Sequence, residues 1–261
     1  MDTVTSTDQT PIAYRSSGQG PPVVAVHGTT ADHTTWRLVG PLLEPRLRLH
    51  AMDRRGRGAS GDGSAYALQR EFEDVAAVVR ACADAAGGPV DLLGHSFGGL
   101  CALGGARLAT DAVRRIVLYE PPLGAQTSDL VPRLAALVDA GRNEEALLVF
   151  FRESVMMPEP ELAAMRASPV WPARVAAAAT VPRELAAIDA FAPGAEWFAA
   201  VTAPTLLLLG GASPQREADT TERLRGLLPD SRVEILAGQQ HVATLTAPDM
   251  LARAVLRFIA D

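Results

Sequence analysis

The sequence predicts an α/β fold in which a mostly parallel central sheet is covered by helices on both faces. Short runs of apolar residues, typical of buried strands, alternate along the chain with longer segments of helical periodicity. Gly, Pro and Asp residues separate the two kinds of segment. Because parallel neighbours are joined by crossover helices, this alternation implies right-handed crossovers and a sheet that is buried on both sides.

The predicted strands lie at residues 12–16, 23–26, 47–52, 90–93, 114–119, 205–209 and 232–236. Helical segments are predicted near 34–43, over 71–86, over 100–109 and after each of the last two strands. The segment 71–86 is typical of an amphipathic helix, because one face collects its apolar residues Phe72, Val75, Val78, Val79 and Cys82.

One region interrupts the alternation of strands and helices. Residues 125–200 contain no convincing strand, only amphipathic helical segments cut by prolines. We interpret this region as a helical cap inserted between two strands of the sheet. The core domain is then formed by residues 1–124 and 201–261 together.

Composition excludes several classes of function. The 261 residues carry a formal net charge of −6, which argues against nucleic acid or an anionic membrane as the main partner. All 24 basic residues are arginine, so a lysine Schiff base is excluded. No secretory signal or membrane-spanning apolar run is visible. Cys82 and Cys101 lie in apolar helical segments, and we expect reduced thiols in a cytoplasmic protein.

The candidate nucleophile is Ser96, which stands in a Gly-x-Ser-x-Gly pattern at 94–98. A short apolar strand precedes the pattern and a helix of small residues follows it. This strand, sharp turn and helix are the context of a nucleophile elbow, in which the turn presents the serine at the top of a sheet. Glycines at 94 and 98 allow the close backbone approach that such a turn requires.

A serine needs a positioned base to act as a nucleophile, and His241 is the candidate. His241 lies in a loop just after the last predicted strand. Such a loop places the imidazole over the carboxyl edge of the sheet, where open α/β sheets carry their sites. An ordinary surface histidine remains the alternative on position alone.

Four segments together resemble the α/β-hydrolase superfamily over nearly the whole chain. His-Gly-Thr at 27–29 resembles the oxyanion loop of that family, and residues 53–60 resemble its Asp-x-Arg-Gly-x-Gly-x-Ser turn. Residues 94–98 match the elbow, and Gly-Gln-Gln-His at 238–241 resembles the segment that carries the base. The segments occur in the order of the family, which supports His241 as the base.

This resemblance implies an oxyanion hole formed by two backbone N–H groups. One belongs to Phe97, directly after the nucleophile, and the other to Thr29, directly after His-Gly. Thr30 is a further candidate donor to the substrate. His27 is expected to order the loop rather than to transfer protons.

The acid of the triad departs from the commonest pattern of the family. Many relatives carry an Asp where this chain has Ser213, and a serine cannot stabilise an imidazolium as a carboxylate does. Some members place the acid one strand earlier, where Glu120 precedes two prolines that fix the exit of the strand. We therefore predict Glu120 as the acid and keep Asp219, which falls within a helical segment, as the alternative.

The predicted substrate pocket draws on Trp36 and on apolar residues of the cap, namely Phe151, Met156 and Trp171. These cap side chains could equally form the core of the cap itself. Three arginines of the turn at 53–60, Arg54, Arg55 and Arg57, are interpreted as solvated side chains on a structural turn rather than as an anion site. No dinucleotide fingerprint, phosphate loop or metal-ligand spacing is present, so we expect no cofactor and no metal.

The sequence therefore predicts a serine hydrolase acting on a carboxylic ester, thioester or lactone of a small, fairly apolar molecule. The serine at the elbow argues against haloalkane dehalogenase or epoxide hydrolase chemistry, because relatives with those activities use an aspartate at this position. Two alternatives remain open. One is a non-hydrolytic member of the fold, such as a lyase, a cofactor-free haloperoxidase or a biosynthetic cyclase, and the other is a ligand receptor.

Overall fold

The computed structural model describes residues 1–124 and 127–260, and its centre is one eight-stranded sheet. Numbered along the chain, the strands are β1 (Asp2–Thr5), β2 (Pro11–Gly18), β3 (Pro22–Val26), β4 (Arg48–Met52), β5 (Val90–His95), β6 (Val113–Tyr119), β7 (Thr205–Gly210) and β8 (Ser231–Leu236). Their order across the sheet is β1-β2-β4-β3-β5-β6-β7-β8. The first two pairings are antiparallel and all the others are parallel, which confirms the predicted fold class.

Six α-helices of the described residues belong to the core: α1 (Gly40–Leu43), α2 (Leu68–Ala86), α3 (Phe97–Leu108), α10 (Gln215–Leu227), α11 (Ala243–Thr246) and α12 (Pro248–Ala260). The six described between β6 and β7 are α4 (Leu130–Asp139), α5 (Asn143–Val149), α6 (Glu159–Arg166), α7 (Trp171–Ala176), α8 (Val181–Ala190) and α9 (Ala195–Ala199). Apolar residues of α2 and α3 are buried against one face of the sheet. Residues of α1 and α12 are buried against the other face. Parallel strands buried on both faces explain the continuous apolar runs in the sequence.

The described part of the predicted insertion, residues 127–200, contains helices and no strand. We call these residues the cap segment. Its first predicted positions, 125 and 126, lie outside the described residues, as does position 261 of the predicted core. A π-helical turn at Phe150–Ser154 follows α5, and a 3-10 turn at Ala177–Thr180 separates α7 from α8.

Two elements differ from the prediction. The segment 34–43 is not one helix but a 3-10 turn, His33–Arg37, followed by α1, and the break falls where Gly40 and Pro41 disfavour a continuous helix. Strand β1 was not predicted, because an edge strand with largely exposed Asp and Thr residues carries no apolar alternation. Within the described part of the chain, no helix combines the length and apolar character needed to cross a membrane.

Candidate active site

Ser96 lies on a strained turn between β5 and α3. Its backbone has φ 54° and ψ −132°, values that a residue with a side chain rarely adopts. Close packing enforces the turn: a Cβ at Gly98 would lie 2.3 Å from the carbonyl oxygen of His27, and one at Gly94 would lie 2.6 Å from the Cα of Gly99. The glycines of the pattern are therefore required by contact, as the sequence predicted.

The loop that follows β3 lies directly against the serine. A Cβ at Gly28 would lie 2.8 Å from the Cβ of Ser96, so only glycine allows this approach. Thr29 comes next and lines the same cavities as Ser96. Phe97 is the first residue of α3, where backbone N–H groups have no partner within the helix and the helix dipole favours negative charge. The structure thus brings both predicted oxyanion residues to the serine.

His27 connects this loop to the turn that follows β4. Its Nδ1 lies 2.9 Å from the carbonyl oxygen of Gly28, and its Nε2 accepts a hydrogen bond of 3.0 Å from the backbone N–H of Arg54. Burial and the nearby Arg54 charge hold the pKa of His27 well below its usual value, so the ring is neutral. Both ring nitrogens are used in holding the loop, which agrees with the ordering role expected for this residue.

His241 is hydrogen-bonded to Glu120. Its Nδ1 donates to Oε2 of Glu120 over 2.7 Å. The other carboxylate oxygen accepts from the backbone N–H of Gly210 at 2.8 Å and from the Ser213 hydroxyl at 2.6 Å. Ser213, which stands where many relatives carry the acid, therefore supports a carboxylate that comes from the neighbouring strand.

The electrostatics of the pair favour an ionised Glu120. Burial opposes its charge, but the hydrogen bond and charge of His241, with Ser213 and Gly210, outweigh burial and lower the pKa of Glu120. Burial also favours a neutral His241 ring, yet the hydrogen bond and charge of Glu120 raise the pKa of His241 above 6.5. The pair can thus hold the imidazole in one orientation and stabilise it once it is protonated.

Two further aromatic residues position the loop that carries His241. His95 donates from Nε2 to the carbonyl oxygen of His241 over 2.8 Å, and the Tyr119 hydroxyl donates to the carbonyl oxygen of Gln240. The His95 and Tyr119 rings stack with centroids 5.2 Å apart. Burial lowers the pKa of His95 to about 3, so His95 remains a neutral donor. The sequence placed His95 in the elbow but gave no sign of this contact.

Asp219, the alternative acid, has a different partner. It lies on α10, as expected, and accepts a hydrogen bond of 2.9 Å from the side-chain amide of Gln215. The structure therefore brings Glu120, and not Asp219, to the imidazole of His241. Another carboxylate, Glu161 of the cap segment, has a pKa that is raised by burial, lowered by the charge of His241 and raised by the charge of Glu120.

Two cavities meet at Ser96. The small cavity encloses about 40 Å³ and the large cavity about 460 Å³. Five residues line both: Thr29, Ser96, Phe150, Val155 and His241. Other residues that line the small cavity include Thr35, Arg37, Phe151, Met157, Ser168 and Arg174. Those of the large cavity include Phe97, Glu120, Leu185, Ile188, Asp219 and Arg223.

Of the predicted substrate contacts, Phe151 lines the small cavity. Met156 does not line either cavity, and its side chain is 50 % exposed on a turn with φ 57°. Its neighbour Met157 is buried and lines the small cavity instead, so the prediction was wrong by one residue. An irregular turn has no periodicity from which to predict which of two methionines faces inward.

Three other predicted contacts lie behind the cavity walls. Trp171 packs against Phe151 with ring centroids 6.3 Å apart and donates from Nε1 to Glu144, so it supports the wall from behind. Trp36 is 2 % exposed within the core between the sheet and the helices α1 and α12. Thr30 accepts a hydrogen bond of 3.0 Å from Arg174 and does not line the cavities at Ser96.

The expectation that Arg54, Arg55 and Arg57 are solvated was wrong, because all three side chains are buried. Arg55 pairs with Asp74 at 2.7 Å and with Asp8 at 3.0 Å. A turn of charged residues resembles a solvated loop in sequence, since the carboxylates that neutralise it come from distant parts of the chain.

Arg54 joins three parts of the molecule. Its guanidinium pairs with Glu71 of α2 and with Glu184 of α8, each at 2.7 Å. Arg57 pairs with the same Glu184 oxygen at 2.7 Å. The Arg54 guanidinium also lies 4.3 Å from the ring centroid of Phe97. This buried network ties the cap segment to the turn after β4 and to the start of α3.

Among the described residues, no group of three or more His, Cys, Asp or Glu side chains is arranged to hold a metal ion. Cys82 and Cys101 are buried free thiols, and burial raises the pKa of both.

Known proteins resemble this chain over nearly its whole length. Residues 23–254 match the model of the alpha/beta hydrolase family. A solved alpha/beta hydrolase from Sphaerobacter thermophilus shares 36 % identity, with a TM-score of 0.85 over 99 % of this chain and 100 % of its own. An esterase from a Rhodococcus species shares 26 % identity, with a TM-score of 0.79 over 100 % and 98 %. The (E)-2-((N-methylformamido)methylene)succinate hydrolase of Acinetobacter baylyi is 25 % identical over 93 % of this chain and 91 % of its own.

Proposed function

Because the chain belongs to the α/β hydrolase family and is a hydrolase of small molecules, we propose that it cleaves a carboxylic ester, thioester or lactone through an acyl-enzyme on Ser96. The observation that carries this proposal is the hydrogen bond of 2.7 Å between Glu120 and the imidazole of His241, beside a serine on a strained elbow. A buried carboxylate on Nδ1 leaves Nε2 as the base for the serine. An ordinary surface histidine has no reason to be held in this way.

In the first half of the reaction, Nε2 of His241 takes the proton of the Ser96 hydroxyl as Oγ attacks the acyl carbon. The electron pair of the carbonyl moves to its oxygen, which accepts hydrogen bonds from the backbone N–H groups of Thr29 and Phe97. Each such donor contributes roughly 3–4 kcal/mol to transition-state stabilisation. The tetrahedral intermediate then expels the alcohol or thiol, which takes the proton from His241.

In the second half, His241 takes a proton from water, and the resulting hydroxide attacks the acyl-enzyme. The same N–H groups stabilise the second oxyanion, and collapse releases the acid and returns the proton to Ser96. Glu120 remains ionised throughout, since its lowered pKa favours the carboxylate. The cap segment limits access of water, since its residues Phe150 and Val155 line both cavities at the serine.

Labelling with a fluorophosphonate tests this mechanism. We expect one covalent adduct on the wild-type protein by intact mass, none on Ser96→Ala, and strongly slowed labelling of Glu120→Gln. Asp219→Asn is the matched control, a carboxylate-to-amide change beside the same cavity, and it should label at the wild-type rate. Hydrolysis of p-nitrophenyl butyrate should follow the same order. Absence of an adduct on the wild type, with no ester turnover, would contradict the proposal and favour a lyase or a receptor.

A further inference from the structure

Two arginines face the small cavity without a carboxylate partner. Arg174 of α7 and Arg37 of the 3-10 turn after β3 both line the cavity with Ser96. In residues 1–124 and 127–260, neither guanidinium has a carboxylate oxygen within 4.0 Å. The single hydrogen bond of Arg174 there is the one of 3.0 Å to the Thr30 hydroxyl. Two positive charges thus stand at the cavity wall, and among the described residues no carboxylate is close enough to form an ion pair with either.

Other polar atoms at the same cavity are also unsatisfied. Nε of Arg174 and the hydroxyls of Thr35 and Ser168 are buried and have no hydrogen-bond partner in the described part of the protein. All three groups can donate a hydrogen bond. A buried donor without a partner costs free energy, and native proteins rarely retain several in one place without a use for them.

The cost is highest for the charge of Arg174. Burial lowers the pKa of Arg174 to about 10; the charge of Asp32 opposes this effect, and the charges of Arg37 and Arg57 add to it. The guanidinium is still protonated at neutral pH. A buried cation that lacks a counterion is stabilised by an anionic ligand that brings one.

We propose that the small cavity binds a carboxylate of the substrate, so that the substrate is an ester, thioester or lactone that carries a second, free acid group. This inference rests on the proposed function, because it assigns the substrate class of the same site. Arg174 and Arg37 neutralise the carboxylate, and the hydroxyls of Thr35 and Ser168 donate to its oxygens. Thr30 acts as a positioning residue, since its contact is with Arg174.

The sizes of the two cavities agree with this assignment. A volume of about 40 Å³ accommodates a compact group, because a single water already needs roughly 10–15 Å³ by the same measure. The large cavity, with about 460 Å³ and the apolar residues Leu185 and Ile188, accommodates the rest of the molecule. A short acidic arm in the small cavity and the larger remainder of the substrate in the large one place the scissile carbonyl between them, at Ser96.

Two activated esters of similar length test binding of the free carboxylate separately from hydrolysis of the ester. Mono-p-nitrophenyl glutarate carries a terminal carboxylate, and p-nitrophenyl butyrate carries none. We expect the wild type to hydrolyse the glutarate with the higher kcat/KM. In Arg174→Met, kcat/KM for the glutarate should fall on the order of 100-fold, as expected when one partner of a buried charge pair is removed, while that for the butyrate changes less than about 3-fold.

Arg223→Met is the matched control, since it removes one positive charge from the large cavity beside the same serine. Its effect on the two esters should be equal within about 3-fold. Arg174→Lys keeps the charge without the planar guanidinium and should recover part of the preference for the glutarate. Free glutarate should inhibit the wild type competitively and Arg174→Met far less.

Failures of the two proposals are distinguishable. If the wild type forms the fluorophosphonate adduct and hydrolyses the butyrate, but Arg174→Met lowers kcat/KM equally for both esters, the carboxylate site is overturned and the serine mechanism stands. If inorganic phosphate inhibits as strongly as glutarate and the glutarate ester is not preferred, the arginines form a general anion site, which also overturns the proposal. If the wild type forms no adduct and hydrolyses neither ester, the serine mechanism fails.

Discussion

Arginines lie close together in two regions of this protein, and their charges are balanced differently in the two regions. In the turn after β4, Arg54, Arg55 and Arg57 meet the carboxylates of Asp8, Glu71, Asp74 and Glu184. At the small cavity, Arg37 and Arg174 meet none among the described residues. Arginines that meet carboxylates stabilise the arrangement of the chain, whereas arginines without one are stabilised further by a ligand that supplies the negative charge. The difference separates structural arginines from candidate binding ones.

The pair of His241 and Glu120 is a third arrangement of charges, and in it the imidazole can gain or lose its proton. We therefore expect the largest of the predicted effects in the pH dependence of activity. Protonation of His241 below its raised pKa removes the base, so we expect the wild-type kcat/KM to fall as pH drops through a value above 6.5. In Glu120→Gln, the carboxylate that raises the pKa of His241 is lost, and burial, which lowers that pKa, dominates. The midpoint of the pH profile therefore moves to lower pH, and the activity above the midpoint falls about 10⁴-fold. A pH profile of p-nitrophenyl butyrate hydrolysis measures both.

An unchanged midpoint in Glu120→Gln would mean that this carboxylate does not set the pKa of His241. The charges of Glu217 and Arg216 also act on His241, in opposite directions. Glu217→Gln is therefore the control for a general loss of negative charge. We expect its midpoint to move less than that of Glu120→Gln, because Glu120 alone is hydrogen-bonded to the imidazole.

The next largest effect is expected from breaking the ion pairs of Glu184 with Arg54 and Arg57. Glu184 is fully buried and neutralises Arg54 and Arg57 at once, so Glu184→Gln leaves both guanidinium groups short of negative charge. We expect a loss of about 3–5 kcal/mol in the free energy of unfolding, measured by urea denaturation. Because Arg54 also holds His27 and Gly28, labelling of Ser96 should slow as well. Glu145→Gln, in an exposed ion pair of the cap segment, is the control and should leave the urea midpoint unchanged.

Removal of Arg174, which has no carboxylate partner among the described residues, should have the smallest effect on stability. In the absence of ligand, Arg174→Met is expected to change the free energy of unfolding by less than about 1 kcal/mol, in either direction, because a buried cation without a counterion contributes little to the folded state. Urea denaturation with and without glutarate tests this. Glutarate should raise the midpoint of the wild type only. A loss as large as that of Glu184→Gln would show that Arg174 is structural after all.

The extent to which the sequence predicts the molecule depends on how local the signal is. The core strands were predicted because continuous apolar runs such as 23–26 and 206–208 require burial wherever they lie. Glu120 could be proposed because two prolines mark the end of its strand. Both signals lie within a few residues of the feature that they predict.

The rest depends on partners that come from elsewhere in the chain. Arg174 looks in sequence like any arginine on the solvent side of a short helix, and so do Arg54 and Arg55 on a charged turn. Their burial follows from how the cap segment and α2 lie against the strand ends, with Glu184 130 positions away from Arg54. No periodicity or motif encodes such a distance, so the wrong assignment of the turn and the missed arginines of the cavity have the same cause.

The contact between Ser213 and Glu120 also bears on how this family varies. The two strand ends share one space, since the Ser213 hydroxyl already lies 2.6 Å from the carboxylate of Glu120. An aspartate at 213 would bring a second negative charge to that space and raise the pKa of one of the two acids, which weakens the support of His241. The two positions are thus alternatives, and in an alignment of relatives they should covary: an acid at one goes with a small neutral residue at the other.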